Sequence, residues 1–300
     1  GNTTITNGTL KLGAANPIAG SIIFGSATAT LDLGGYAIAV NSLTSSVAGY
    51  GVITNSGSSN VTLTIGGDNS SFTISADITD GSKTIAITKN GTGTLTLSGN
   101  NSFSGDTTIN AGTLKLGSTT GLSNNSQILF TSSTATLDMN GYSETAGSIA
   151  STSGNGIITN NSSSSNATLS VSSDNSSTTF GGVIKDGTSK IVGLTKVGTG
   201  TLTLTGNNTY TGATTVSAGT LSMATISSAI NLSGGSLQYT GATASVSQVL
   251  TLSSTSTIDV ANSNTVLTLT SPLGFSGSAG LIKEGAPYLQ DFSRISSSIL

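Results

Sequence analysis

Short stretches in which apolar and polar residues alternate recur along the chain, and two of them set the pattern for the rest. Thr94-Leu-Thr-Leu-Ser98 and Thr113-Leu-Lys-Leu116 each place leucine on one side and Thr, Ser or Lys on the other. This period of two predicts strands with one buried face. Gly99-Asn-Asn101 and Ser104-Gly-Asp106, between the two stretches, are typical of turns. We therefore predict a unit of strand, turn, strand, turn and strand.

This unit is repeated. Segment 91–117 returns as 198–223, and its second half opens the chain as 1–13. Short strands separated by Gly, Asn and Ser are compatible with a sandwich or a closed barrel. Near-identical strands at fixed spacing favour a parallel β-helix, because stacked turns place like side chains on like. We predict an all-β solenoid with Leu, Val and Ile inside and rows of Thr and Asn outside or in the turns.

The spacing of the repeats indicates the size of one turn. Lys89 and Lys196 are 107 residues apart (196 − 89), whereas Lys196 and Lys283 are 87 apart (283 − 196), a deficit of 20. A repeat that shortens by about twenty residues and still resumes in phase suggests a structural step of that size. We expect the third unit to have lost one whole turn.

The chain divides into one long repetitive region and a tail. We predict a β-helix over 1–285, built of three units at about 1–104, 105–211 and 212–285. Residues 286–300 do not follow the repeat.

In this tail, Tyr288, Phe292, Ile295 and Ile299 fall on one face of a helix. A short amphipathic helix that caps the last turn is one hypothesis, since a solenoid end exposes apolar core and unpaired strand edges. An unstructured or foreign tail is the alternative, because so short a helix needs tertiary support.

The composition separates this chain from most globular enzymes. Of 300 residues, 40 are Gly and 3 are Pro, none is Cys, His or Trp, and only 7% are charged, where roughly a quarter is usual. Abundant β-branched residues and a net charge of −3 favour a folded all-β chain over a disordered one. The balance offers no basic surface for nucleic acid or for an anionic membrane.

Cysteine and targeting signals add little. The lack of Cys excludes disulfides and thiolate metal sites, and it is compatible with export. The sequence has no run of 18 apolar residues and no basic opening followed by an apolar run, so we expect no direct membrane insertion of this segment and no signal peptide. Because the chain begins within a repeat, we expect a processed product or a fragment.

We predict no catalytic, cofactor-binding or metal-binding residue. Without His and Cys, only carboxylates, Lys and hydroxyls remain for catalysis. Asp32 and Asp138 occupy the same place in two units. They could act as ligands or acids, but a turn Asp that accepts backbone N–H bonds before a Gly is the favoured interpretation, because active sites rarely occur once per unit.

Three other patterns have structural interpretations. Lys89, Lys196 and Lys283 are expected to be solvated lysines that discourage edge pairing. Gly66-Gly-Asp68 resembles part of a calcium-binding nonapeptide but occurs once. Thr-x-Thr pairs, such as Thr94/Thr96, raise the alternative of a flat threonine array that binds ice. Thr is also simply a favourable exposed strand residue.

The repeated motif, Gly-Thr-Gly-Thr-Leu-Thr-Leu-x-Gly-Asn-Asn-x-[Phe/Tyr]-x-Gly-x-Thr-Thr-[Ile/Val]-x-Ala-Gly-Thr-Leu, resembles the passenger-associated repeat of bacterial autotransporters. It matches at 91–117 and 198–223, and in its second half at 1–13, about a fifth of the chain. The resemblance implies a secreted right-handed β-helix carried to the bacterial cell surface, typically an adhesin, an autoaggregation factor or a stalk.

The sequence therefore predicts an extracellular, non-enzymatic, structural or adhesive β-helix. Its expected partners are surface glycans, matrix or identical copies of the chain, the last by lateral or end-to-end association. The alternatives are an ice- or surface-binding module and a polysaccharide-degrading β-helix, which would need a carboxylate pair about 5–10 Å apart.

Overall fold

The computed structural model describes residues 1–18, 20–123 and 126–285, and the backbone of 288–291. Within these residues it is all-β and contains no helix. No helix of the described part is long and apolar enough to cross a membrane.

The strands are short, mostly of three to five residues. In chain order they are β1 (Thr3–Ile5), β2 (Thr9–Lys11), β3 (Ile22–Phe24), β4 (Thr30–Asp32), β5 (Ile38–Val40), β6 (Leu43–Ser45), β7 (Val52–Thr54), β8 (Val61–Ile65), β9 (Phe72–Ile74), β10 (Asp77–Ile78), β11 (Ile85–Lys89), β12 (Thr94–Leu97), β13 (Thr107–Ile109), β14 (Thr113–Leu116), β15 (Gln127–Phe130), β16 (Thr136–Asp138), β17 (Glu144–Thr145), β18 (Ser148–Ser151), β19 (Ile157–Thr159), β20 (Ala167–Val171), β21 (Thr178–Phe180), β22 (Val183–Ile184), β23 (Val192–Lys196), β24 (Thr201–Leu204), β25 (Thr214–Val216), β26 (Thr220–Met223), β27 (Ile230–Ser233), β28 (Ser236–Tyr239), β29 (Ala244–Val246), β30 (Leu250–Ser254), β31 (Ser256–Val260), β32 (Val266–Leu269), β33 (Gly274–Phe275), β34 (Leu281–Gly285) and β35 (Tyr288–Asp291).

The strands stack on three faces as a solenoid of about 13 turns. The first face runs through β1, β3, β6, β9, β12, β14, β16, β19 and β22 and later β29, β32 and β35. The second face runs through β2, β4, β7 and β10 and later through β17, β20, β23, β25, β27, β30 and β33. The third face runs through β5, β8, β11, β13, β15, β18, β21, β24, β26, β28, β31 and β34. Every pair in these sheets is parallel, as in β12 with β14. The predicted parallel β-helix is confirmed, and the sandwich alternative, which needs antiparallel sheets, is wrong for the described residues.

The register places like side chains on like. On the first face Leu95 pairs with Leu114, Leu114 with Leu137 and Leu137 with Ile158. All four side chains are fully buried. Each contributes roughly 2 kcal/mol by leaving water. The threonine and lysine residues that alternate with them on β12 and β14 are half-buried on the opposite side, as the period of two predicts, whereas Asp138 on β16 is buried although it points away from the leucines.

The turn of about twenty residues is confirmed, but the way the third unit shortens is not. Some buried segments occupy strand positions without being assigned as strands, at Phe103, Leu122, Tyr210 and Ile226. When these are included, β23, which holds Lys196, lies fourteen steps after β11, which holds Lys89. From Lys196 to Lys283 the count is thirteen, from β23 to β34. The third unit therefore omits one position of the three in a turn and has shorter connections. The expected loss of a whole turn is wrong, because equivalent strands need not return to the same face. The division into three units stays a prediction, since stacking is continuous across the proposed boundaries.

The tail does not begin as the predicted helix. Residues Tyr288–Asp291 form β35, which pairs in parallel with β32 on the first face. The open edge of β32 offers unpaired N–H and C=O groups, and a strand satisfies them where a helix cannot. The capping-helix hypothesis is therefore wrong at 288–291, and the remainder of its apolar face, 292–300, lies outside the described residues.

Candidate functional site

A shallow concave surface lies on the first face of the solenoid. It has a volume of about 460 Å³ and lies over β14, β16 and β19, beside the loop that follows β22. We call it the Thr113–Thr188 groove. Its lining is mainly hydroxyl, amide and charged groups: Thr113, Thr136, Ile157, Thr159, Asn161, Lys185, Asp186, Gly187 and Thr188.

Asp186 fixes the loop at the side of this groove. Its Oδ1 accepts a hydrogen bond from the Val192 backbone N–H at 2.8 Å, and its Oδ2 accepts from the Thr211 N–H at 3.1 Å and the Thr211 hydroxyl at 2.6 Å. Thr159 Oγ1 donates to the Asp186 carbonyl at 3.2 Å. Asp186 therefore holds the loop in place, and both oxygens of its carboxylate accept hydrogen bonds from Val192 and Thr211 of the same chain.

Near the position that corresponds to this groove in the first unit, the side chains of Asp32, Ser56 and Lys11 are bonded to each other. Asp32 Oδ1 accepts from the N–H groups of Gly34 and Ser56, and its Oδ2 accepts from the Ser56 hydroxyl at 2.5 Å. Lys11 Nζ donates to Ser56 Oγ at 2.8 Å and lies 3.6 Å from Asp32 Oδ2. Burial alone would raise the pKa of Asp32, but the bonds from Ser56 and Gly34 and the charge of Lys11 outweigh it and lower that pKa.

In the second unit Asp138, Asn161 and Lys115 occupy the positions of Asp32, Ser56 and Lys11, but they form fewer hydrogen bonds. Asp138 Oδ1 accepts from the N–H groups of Asn140 and Asn161. Within the described residues, the side chains of Asn161, Lys115 and Lys185 form no hydrogen bond or ion pair. The prediction that Asp32 and Asp138 accept backbone N–H bonds in turns is confirmed.

Lys89 and Lys196 correct a prediction. Both are fully buried, whereas Lys283 is exposed as expected. Lys89 Nζ donates to the carbonyls of Asn90, Gly91 and Ala111 at 2.6, 2.8 and 3.2 Å. Lys196 donates to the equivalent carbonyls, those of residues 197, 198 and 218.

These two lysines tie consecutive turns of the solenoid. Gly91 adopts φ +67°, and a Cβ there would lie 2.0 Å from the Gly66 carbonyl oxygen, so only Gly fits. Burial lowers the pKa of Lys89 to about 8, and burial, partly offset by Asp174, lowers that of Lys196 to about 8. The solvated role assigned to both is wrong. The missed signal is the alternation itself, since Ile85, Ile87 and Lys89 share one face.

Glu144 is a buried acid that the sequence did not single out. It is 4% exposed, and its Oε2 has no hydrogen-bond partner in the described structure. Glu144 pairs in register with Leu169, as Ile38 pairs with Leu63 in the first unit. Burial raises the pKa of Glu144 to about 7. Alignment of Tyr36 with Tyr142 would have placed Glu144 at this core position.

Two other sequence patterns are explained by local contacts and register in the described part. Asp68 Oδ1 accepts from the N–H and the hydroxyl of Ser70, which is turn chemistry. No group of three or more acidic residues there is arranged to hold a metal ion. The Thr pairs do not continue as an array, because Thr94/Thr96 stacks on Thr113/Lys115 and the next turn places Asp138 in the second row.

The second face carries a row of polar side chains that is longer than the interrupted threonine rows of the first face. We call it the long polar row. Its residues pair in register over five consecutive turns, and all of them are half-buried: Ser170, Thr195, Thr215, Asn231 and Thr251. Only Asn231 and Thr251 bond to each other along it, at 3.3 Å. The hydroxyls of the other three therefore face outward with no side-chain partner in the described structure.

Comparison with known proteins identifies the repeat. The model of the passenger-associated-transport-repeat matches residues 87–116 and 194–223. These two segments contain the buried lysines and the turns that they tie.

A curated relative extends the similarity over most of the chain. It is an adhesin, the BmaC autotransporter of Brucella suis biovar 1 (strain 1330), 33% identical over 237 residues. The match covers 71% of this chain but spans only 7% of the relative. No solved structure matches the chain. The chain belongs to the autotransporter passenger domains built with passenger-associated-transport repeats, and it is located outside the cell, at the cell surface or secreted.

Proposed function

We propose that the chain is a non-enzymatic adhesive rod that presents rows of hydroxyl and amide groups to surface glycans or matrix. The long polar row carries this proposal, because five consecutive turns place small polar side chains in register on one face. Adjacent strands lie about 4.8 Å apart, so the row offers closely spaced hydrogen-bonding groups.

Adhesion by such a surface is strong only in sum. One hydrogen bond exchanged with water contributes about 0.5–1.5 kcal/mol, and a rigid row allows several to form without ordering a flexible loop. The name of the BmaC relative as an adhesin supports this role. A non-enzymatic role is supported by the turn contacts of Asp32, Asp138 and Asp186, each of which accepts backbone N–H bonds that hold the solenoid's own loops.

The test removes hydroxyls from the row without changing its shape. Thr195→Val and Thr215→Val together keep β-branched strand residues. Beads coated with the double variant should adhere to glycan- and matrix-coated surfaces at least several-fold less than wild-type beads. Ser58→Ala with Ser59→Ala removes two exposed loop hydroxyls outside the row and is the matched control.

Unchanged adhesion of the Thr195→Val, Thr215→Val variant would remove the row from the mechanism. Failure of wild-type beads to adhere to any surface would overturn the adhesive function itself. Thermal unfolding of each variant checks that the fold is retained.

Identical rods are a second partner class. The net charge of −3 over 300 residues leaves little repulsion between copies. Sedimentation velocity at rising concentration measures this association. Lateral pairing through the long polar row predicts dimers or larger species that the two Val substitutions reduce, and monomers at every concentration would exclude it.

A further inference from the structure

We propose that the Thr113–Thr188 groove is a subsite for an acidic saccharide, one that carries a carboxylate. This inference rests on the adhesive function proposed above and names a ligand class for one place on the rod. It starts from a difference between two equivalent regions of the same chain.

The first observation is that one side chain of the groove, Asn161, and one on the strand beneath it, Lys115, have no internal partners in the described structure. Asn161 occupies the place of Ser56, and Lys115 the place of Lys11. In the first unit Lys11 and Ser56 satisfy Asp32 and each other. In the second unit the amide of Asn161 and the ammonium of Lys115 have no partner in the described structure. The second unit therefore leaves donors free for a ligand where the first unit does not.

The second observation concerns charge. Lys185 lines the groove and is exposed, whereas its equivalent in the first unit is Thr79. Asp186 is held by three donors of its own chain and Asp138 accepts two backbone N–H bonds. Both carboxylates keep their negative charge, but within the described residues neither lies within ion-pair distance of Lys115 or Lys185, so the two ammonium groups are free to pair with an anion. Lys115 and Lys185 lie in one outward row, separated by the turns of Asp138 and Thr159, about 14 Å apart at the usual strand spacing.

The third observation favours a saccharide over an acidic peptide. Strands β14, β16 and β19 are each paired on both sides, so no strand edge is open to an added peptide strand. Apart from Ile157, the lining has no large apolar or aromatic side chain that would bury a peptide anchor. The hydroxyls of Thr113 and Thr136 instead match a ligand rich in hydroxyl groups.

The groove is also preorganised. A Cβ at Gly187 would lie 1.8 Å from the Asn160 carbonyl oxygen, so glycine allows the loop to pack against the neighbouring turn. The Asp186 bonds fix the same loop from its other side. A site that is already ordered loses less conformational entropy when it binds.

The experiment is a titration of the isotope-labelled chain followed by NMR. The probes are tetragalacturonate, the same oligosaccharide fully methyl-esterified, and a tetraglutamate peptide. We expect tetragalacturonate to shift the signals of Thr113, Thr136 and Asn161, and the neutral ester to bind at least about fivefold more weakly, since it lacks the charge that Lys185 would pair with.

Matched variants locate the site. Lys185→Thr reproduces Thr79 of the first unit and should weaken tetragalacturonate binding at least about fivefold. Lys83→Thr removes an exposed lysine of the first unit, outside the groove, and should leave binding unchanged. Thermal unfolding should show that both variants retain the fold.

Each other outcome overturns a stated part. Equal binding of wild type and Lys185→Thr would exclude this groove. Equal binding of tetraglutamate would replace the saccharide by any flexible polyanion. Equal binding of the neutral ester would remove the carboxylate requirement. If no oligosaccharide binds while coated beads still adhere, the subsite is wrong and the adhesive function stands. Beads that do not adhere would refute the adhesive function separately.

Discussion

The first two repeat units have the same scaffold but different fillings. Lys89 and Lys196 make the same three carbonyl contacts, and Leu95 and Leu202 are both fully buried at equivalent positions. Around them the units diverge. Ile38 becomes Glu144 in the core, and Phe103 becomes Tyr210.

On the surface Lys11, Ser56 and Asp32 bond to each other, whereas at the equivalent positions of the second unit the side chains of Lys115 and Asn161 have no partner in the described structure. The lysine contacts that tie consecutive turns together are the same in both units, whereas the units differ at positions that make no such contact between turns. Exchanging residues between the units tests this distinction.

The largest effect is expected where the units agree. Lys89→Met keeps the length of the side chain but removes the donor of three carbonyls on half-buried residues. Unsatisfied buried acceptors cost about 1–3 kcal/mol each, partly offset because a buried charge is removed. We expect a loss of about 4 kcal/mol in the free energy of unfolding, measured by urea denaturation.

Lys196→Met should cost the same, and Lys283→Met, at an exposed position, less than about 0.5 kcal/mol. If Lys89→Met were as mild as Lys283→Met, the lysine would not tie the turns. If the solenoid unfolds in two steps, each variant should shift the step of its own half.

These lysines show what the sequence could predict. Strand positions, turn length and the buried leucines follow from alternation and repetition, because both report directly on a stacked core. The same alternation places Lys89 and Lys196 inside, but a solvated lysine that discourages edge pairing was the favoured interpretation. Only the fold reveals three carbonyls that converge on each ammonium, since these come from two different turns.

The second difference is the buried acid. With a folded pKa of about 7 against an ordinary value of 4.5, Glu144 is protonated in the folded state at pH values where it ionises in the unfolded chain. The folded state then binds more protons, so this group's contribution is fully present below about pH 4.5 and is lost as pH rises to about 7. Between these pH values, the free energy of unfolding falls by roughly 3 kcal/mol because of Glu144.

Glu144→Ile, which restores the residue found at Ile38, should therefore stabilise the chain by roughly 3 kcal/mol above pH 7 and by little at pH 4. Denaturation of both proteins across this pH range measures the difference, in which other titrating groups cancel. Parallel pH profiles would contradict an uncompensated carboxyl at this position.

The third difference is one hydroxyl. Tyr210 Oη and Thr214 Oγ1 are 2.8 Å apart, and Thr214 Oγ1 is also 2.8 Å from Ser228 Oγ. In the first unit the residue is Phe103, and buried Thr107 Oγ1 has no partner in the described structure. Phe103→Tyr should supply it and stabilise by up to about 1 kcal/mol, and Tyr210→Phe should destabilise by about 1 kcal/mol. Urea denaturation measures the change in the free energy of unfolding for both variants. If both variants were stabilised or both destabilised, the available space at the ring, and not the hydrogen bond of the hydroxyl, would determine the effect.

The groove was beyond sequence reasoning for a different reason. Asn161 and Lys185 are ordinary polar residues in Ser/Asn-rich connections, and they meet Thr113 and Thr136 only because turns from separate parts of the chain stack. The repeat alignment does show Ser56 at the place of Asn161 and Thr79 at that of Lys185. It does not show which side chains remain without partners.

The smallest effect concerns the first unit's bonded group. Ser56→Ala removes the hydroxyl bond to Asp32 Oδ2 and the acceptor of Lys11 Nζ. The pKa of Asp32 is lowered in the folded state, so its contribution is present above the ordinary value of 3.8 and is lost as pH falls. The variant should raise the pKa of Asp32 towards 3.8, seen by NMR titration, and reduce stability at pH 7 by less than about 1 kcal/mol. The side chain of Asn161 makes no hydrogen bond to any described residue, so Asn161→Ala should change stability by less than about 0.5 kcal/mol. Equal losses from the two variants would mean that both regions are closed by their own side chains, and the second unit would then hold no donors in reserve for a ligand.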